Sequence, residues 1–98
     1  MIVIRNTFQV KFGRMREAVP LLKENMARVK ASGGKAGRLM TDLTGPFYTL
    51  VLELEFESMV EADRNMATLM KLPGWQETYQ KFCALVDSGG REIYTVVS

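Results

Sequence analysis

These 98 residues contain no histidine and only one cysteine. Without histidine there is no imidazole acid–base catalysis, no Ser-His-Asp or Cys-His pair, and no imidazole ligand for a metal or haem. With Cys83 alone, no intrachain disulfide can form. No apolar run approaches the roughly 20 residues of a membrane span. The start, Met1-Ile2-Val3-Ile4-Arg5, has neither the basic opening nor the small-residue cleavage site of a signal peptide. These absences predict a cytoplasmic protein that does not engage membrane. Charge is also close to balance, with 13 basic residues against 11 acidic ones. Nucleic-acid binding usually leaves a clustered basic footprint. The nearest approach to one, Lys11, Arg14 and Arg16 beside Glu17, reads as a solvated helix start. No glycine-rich stretch has phosphate-loop spacing, and Gly33-Gly34 and Gly89-Gly90 read as helix stops.

What is present is the composition of a soluble globular chain, 47% hydrophobic and 24% charged. Its length suggests a single domain over residues 1–98 with a modest core. The most informative stretch is Phe47 to Phe56, where apolar and mixed residues alternate at the period of a β-strand. Tyr48, Leu50, Leu52, Leu54 and Phe56 share an oily face; Phe47, Thr49, Val51, Glu53 and Glu55 share a mixed one. A first strand over about Met1–Lys11 has the same character. Ile2, Ile4, Phe8 and Val10 are oily, interrupted by Asn6, and Val3, Arg5, Thr7, Gln9 and Lys11 are mixed.

Between these strands, Met15, Ala18, Val19, Leu22, Met26 and Val29 form a one-sided stripe that predicts a helix over about Arg14–Lys30. Pro20 predicts a kink there, or else a regular helix that starts only near Pro20. A strand over about Lys35–Leu43 then forms a hairpin through Thr44-Gly45-Pro46. An even loop would put Leu39 and Leu43 on the oily face and Arg38 and Met40 on the mixed one; an odd loop would exchange them. The even loop is favoured, because a one-residue slip exposes the whole apolar set. Ser58 and Glu61 have the spacing of a capping box and open a helix bearing Met59, Ala62, Met66 and Leu69. Pro73-Gly74 breaks it. Trp75, Tyr79, Phe82 and Val86 mark a further helix, Ser88-Gly89-Gly90 ends it, and Arg91–Val97 reads as the last strand.

The resulting plan is an α+β, ferredoxin-like split β-α-β-β-α-β fold. Its four-stranded antiparallel sheet has the order 4-1-3-2, with the helices on one face. Strands one and three are then neighbours, and matching their faces sets Arg5 opposite Glu53, a cross-strand ion pair. The uncovered face carries Val3, Thr7, Gln9, Phe47, Thr49 and Val51 around that pair. A second copy would cover it, two sheets closing an eight-stranded barrel in a homodimer.

The chain at this point resembles the dimeric α+β barrel superfamily, with its antibiotic-biosynthesis-monooxygenase-like and NIPSNAP-like domains. The resemblance spans nearly the whole chain. It rests on Phe8-Gln9-Val10-Lys11-Phe12-Gly13-Arg14-Met15, on the hairpin from Leu39 to Phe47, and on the break and aromatic helix after Pro73. It implies a homodimer with a small-molecule cavity, between sheet and helices or inside the barrel. Members include cofactor-independent oxygenases, haem-degrading enzymes, isomerases and proteins of unknown activity. Fold alone does not choose among them.

Each candidate residue has a functional and a structural reading. Arg5 and Glu53 could hold an anionic or phenolic ligand and shift a proton, or could simply fix the dimer's register. Asn6 is either a satisfied core amide or a ligand-orienting group. Trp75 and Tyr79 are either the aromatic wall of a ligand site or core residues, with Trp75 filling the gap left by Pro73-Gly74. Arg38 and Tyr94 join the mixed face depending on register; Tyr94 could donate to an oxyanion or sit at a dimer seam. Cys83 reads as a buried, inert thiol. Glu53 and Glu55 would make a weak, oxygen-only metal site, so no metal is assigned, and no cofactor.

Two functions of different class follow. One is a homodimer that binds a small apolar or aromatic molecule. As an enzyme it would be a cofactor-independent monooxygenase or isomerase, with Arg5 and Asn6 steadying an anion while Glu53 moves the proton. The other is a non-catalytic dimeric module whose mixed face serves only as interface. A haem-degrading activity would need a non-histidine axial ligand.

Overall fold

The structure, a computed structural model, describes residues 1–98. The elements are β1 (Ile2–Val10), α1 (Met15–Ala31), β2 (Arg38–Thr41), β3 (Thr49–Phe56), α2 (Met59–Leu69), α3 (Trp75–Cys83) and β4 (Val86–Thr95). The sheet is antiparallel with the order β2-β3-β1-β4, the ferredoxin-like arrangement expected from the strand pattern. No helix is long and apolar enough to cross a membrane.

The registers follow from the alternation. Arg5 lies opposite Glu53, and Asn6 opposite Leu52. Arg38 lies opposite Glu53 and Leu39 opposite Leu52, the pairing of the even loop. α1 runs through Pro20, which is exposed, so water can serve the Arg16 carbonyl that proline leaves without a donor. The Ser58 hydroxyl accepts from Glu61 N at 3.3 Å, as the capping spacing predicts. The Glu61 carboxylate reaches one residue further back than the usual box, accepting from Glu57 N at 3.1 Å.

Three local expectations need correction. β4 begins at Val86, not Arg91, so Val86 leaves the α3 stripe and Ser88-Gly89-Gly90 lie inside the strand. There they pair with Gln9, Phe8 and Thr7 after a bulge that absorbs Asp87. Glycine serves close approach here rather than helix termination, since a Cβ at Gly89 would come 2.9 Å from the Thr7 carbonyl oxygen. β3 begins at Thr49, because Tyr48 turns away with φ 61° and the Asp42 carboxylate accepts from Thr49 N. Phe47 and Leu43 therefore lie in the loop, exposed, instead of on the sheet faces. β2 is shorter than expected because Gly37, at φ 75°, precedes it.

The core explains where space is left. One end of the sheet is sealed by Val10, Ala18, Leu22, Leu50, Phe82 and Leu85, with Phe8 edge-on to Phe82 at 4.9 Å. A smaller cluster, Val29, Ala36 and Leu69, packs Met26, Leu72 and Trp75 at the other end. Between them Ile4, Leu52 and Leu54 of the oily face stay only half-buried. The helices stand off the sheet there, and a cavity results.

Candidate functional site

The cavity lies between the sheet and the helices and has a volume of about 720 Å³. That is within the range of small-molecule sites, ~300–1,000 Å³. Of its 27 lining residues 17 are hydrophobic, so it favours an apolar ligand body. Ile4, Asn6 and Phe8 form part of the floor, with Leu52 and Leu54 beside them. Trp75 and Tyr79 stand on the wall, their rings stacked at 5.1 Å with an interplanar angle of 10°.

That aromatic wall is held by a polar brace between α1 and α3. Asn25, buried on α1, donates to the Trp75 carbonyl at 3.1 Å. Arg28 donates to Asn25 at 3.0 Å and to the Thr78 hydroxyl at 2.7 Å, and pairs with Glu24 at 3.0 Å. Gly74 opens α3 at φ 84°, and a Cβ there would come 2.9 Å from the Arg28 guanidinium. The Pro73-Gly74 break thus both starts the helix and makes room for its anchor.

Alternation along β1 separates the sequence candidates. Asn6 points to the cavity, where its Oδ1 accepts from Arg91 Nε at 2.8 Å. Arg5 points to the opposite, open face, where it pairs with Glu53 at 3.0 Å. Arg38 occupies the other carboxylate oxygen of Glu53 at 2.7 Å. Tyr94 lies under the Arg5 guanidinium, 5.5 Å from ring centre to Cζ, and donates to Glu92 at 2.5 Å. Gln9 and Thr49 continue this polar ladder at 3.0 Å. The structure therefore brings Arg5, Arg38, Glu53 and Tyr94 together, and Asn6, Trp75 and Tyr79 together, with the sheet between the groups. Arg5 and Asn6 cannot act on one small ligand as the sequence suggested, because consecutive strand residues face opposite ways.

The electrostatics agree. Hydrogen bonds from Arg38 and Arg5 hold the buried Glu53 carboxylate below its usual pKa, favouring a fixed anion over a proton shuttle. On the cavity side, burial pushes the Tyr79 hydroxyl above its ordinary pKa. The neighbouring Cys83 adds to the rise and Arg91 opposes it. Cys83 itself is exposed, not buried as expected; it is the last residue of α3, and the buried position in that turn is taken by Phe82.

Arg91 is the site residue that sequence reasoning missed. At the first position of the expected last strand it has no assigned face. With Gly89-Gly90 counted into β4, alternation sets Arg91 beside Asn6 and on the oily face. Lys35, Asn25 and Asp63 are among the other polar residues that reach the cavity.

Comparison with known proteins gives the fold its relatives. A NIPSNAP family protein of unknown function from Agrobacterium tumefaciens superposes with a TM-score of 0.83 at 20% identity, covering 96% of this chain and 86% of that one. An antibiotic biosynthesis monooxygenase superposes with a TM-score of 0.76 at 15% identity, covering 100% of both chains. SnoaB, a cofactor-independent oxygenase from Streptomyces nogalater, superposes with a TM-score of 0.63 at 15% identity, covering 99% of this chain and 93% of that one. At these identities the likeness is one of fold. No curated protein matches the sequence. The NIPSNAP family model matches residues 4–98, so this chain belongs to the NIPSNAP family.

Proposed function

We propose that this protein is a homodimer that binds a small, apolar or aromatic molecule in the cavity between its sheet and helices. The observation that carries the proposal is the cavity itself, about 720 Å³, mostly apolar, with the stacked Trp75 and Tyr79 on its wall. The solved structures similar in fold include a cofactor-independent oxygenase, SnoaB. Oxygenase or isomerase chemistry without a cofactor is the enzymatic form of the proposal, and in it Asn6 and Tyr79, which line the cavity, would touch the substrate. A chain with one cysteine suits a reducing compartment, and we assign the protein to the cytoplasm.

The open face has a different role in this proposal. Glu53 has both oxygens taken by arginines, and it is only 7% exposed. Arg5, Arg38, Glu53 and Tyr94 are therefore interface residues that set the register of a second copy. This keeps the rival function, a non-catalytic dimeric module, tied to one surface and testable apart from the cavity.

Native mass spectrometry of protein purified from its own host tests both. A dimer carrying a reproducible small-molecule mass supports the proposal and gives the ligand class. A clean dimer moves weight to the non-catalytic module. A monomer refutes the assignment of the open face. Arg5→Ala and Glu53→Ala should weaken the dimer while leaving ligand uptake per chain intact.

A further inference from the structure

We propose that the cavity selects a monoanion, a carboxylate on an apolar or aromatic body, with Arg91 as its anion-binding group. This rests on the cavity being a ligand site and names the class it takes.

Two cations line the cavity, Lys35 and Arg91. Lys35 is already engaged, pairing with Glu61 at 3.3 Å and donating to the Glu55 carbonyl at 3.1 Å. Arg91 has no carboxylate partner anywhere in the chain. Its one side-chain hydrogen bond runs from Nε to Asn6 Oδ1 at 2.8 Å. That bond orients the planar guanidinium and leaves both terminal nitrogens unused, the edge that receives a carboxylate through paired hydrogen bonds. Gly89, two residues earlier on the same face, contributes no side chain beside it. Trp75, Tyr79 and Arg91 line the same cavity, so the aromatic stack and the cation belong to one site.

The remaining charge on the wall sets a direction. Asp63 is the only carboxylate lining the cavity, and it lies on α2, which packs over β3. Arg91 lies on β4, at the far edge of the sheet beyond β1. An anionic head is attracted to the β4 side and repelled from the α2 side. Met59, Met66 and Met70, on and after α2, offer an adaptable apolar surface for the other end of the molecule. Acyl chains and aryl acids share this chemistry, and the experiment separates them.

Trp75 is the only tryptophan and stands on the cavity wall, so its fluorescence reports occupancy. Dimeric protein freed of bound small molecules is titrated with two matched pairs, 2-naphthoate against 2-naphthamide and dodecanoate against dodecanol. Calorimetry serves as a second readout. The expected result is at least a tenfold preference for the anion in one pair, and that pair identifies the body the cavity accepts. Arg91→Gln keeps a donor for Asn6 and should reduce the preference to within about twofold, with the neutral partner's affinity unchanged. Lys35→Gln should keep the preference. Equal binding of anion and neutral partner overturns the anion assignment and leaves the cavity proposal standing. Loss of preference in Lys35→Gln but not Arg91→Gln overturns the choice of Arg91. No binding by any of the four probes overturns both. Should Arg91→Gln fail to fold, Arg91→Lys supplies the test, since a point charge without the paired donors should retain only part of the preference.

Discussion

Gly37 is the residue at which the hairpin register can be tested most directly. It has φ 75°, and a Cβ there would lie 2.4 Å from the Glu53 carbonyl oxygen and 2.7 Å from Leu54 Cγ. Gly37→Ala therefore carries two costs. The left-handed backbone costs about 1–2 kcal/mol for a residue with a side chain. The overlap with β3 backbone, which cannot rotate away, adds about 1–3 kcal/mol. The total is ~2–5 kcal/mol, a large share of the ~5–15 kcal/mol that holds a domain folded. Gly33 supplies the control, with φ 86° and nothing within 4 Å of the position a Cβ would take. Gly33→Ala should cost only the backbone component, about 1–2 kcal/mol. Urea denaturation followed by Trp75 fluorescence measures both, and at a slope of about 1–3 kcal/mol per molar the Gly37 variant should show the clearly lower midpoint. Equal midpoints would mean that β2 does not approach β3 as described. The Arg38–Glu53 pairing would then fall, and with it the assignment of the open face.

Phe82→Ala removes a fully buried ring that meets Phe8 edge-on, and should cost about 3–5 kcal/mol by chemical denaturation; a loss below ~1 kcal/mol would show that the sealed end of the core is elsewhere. Ser58→Ala removes the acceptor for Glu61 N and should cost ~1 kcal/mol, with m unchanged; no loss would show that the cap is not used. The depressed pKa of Glu53 means that the unfolded chain binds the proton more readily, so the stabilisation is present above the usual value of 4.5 and is lost as pH falls through the lower folded value. The stability gap between wild type and Glu53→Gln should be constant near neutrality and shrink in that acid window, and a gap independent of pH would show that the arginine pairs contribute nothing.

Much of the fold was legible because its determinants are local and periodic. Two strands with one oily and one mixed face allow a single way of meeting helices, and the apolar set of β3 rejects an odd loop. What the sequence concealed was glycine used for closeness. Gly89-Gly90 has the composition of a helix stop, and Trp75, Tyr79, Phe82 and Val86 keep helical spacing across the real end of α3. Only the approach of β1, with the Thr7 carbonyl 2.9 Å from where a Cβ would sit, explains glycine inside a strand. Tyr48 at φ 61° is concealed for a related reason, since nothing in Phe47-Tyr48-Thr49 announces that the strand begins only at its third residue. Arg91 followed from the first error, because a residue placed at a strand's first position has no neighbour to fix its face.

The site was legible in part, and the division between its two halves bears on mechanism. Asn6 stood out as a polar interruption of an oily face, and Arg5 and Glu53 as a matched pair. Placing all three in one reaction ignored that Arg5 and Asn6 are consecutive on an extended strand. Once the sheet separates them, the cavity loses its strand carboxylate. Tyr79, raised above the ordinary phenol pKa by burial, is protonated at neutral pH and can donate but not abstract a proton. Asp63, on α2 over β3, lies across the cavity from Arg91 on β4, and both residues are exposed. Asn6 and Arg91 can hold an anion, and neither can take a proton. If Arg91 takes an anion as proposed, the β4 side of the cavity stabilises negative charge. Proton abstraction from a bound substrate therefore finds no base on the β4 side of the cavity, and Asp63 on α2 is the one lining carboxylate that could accept a proton.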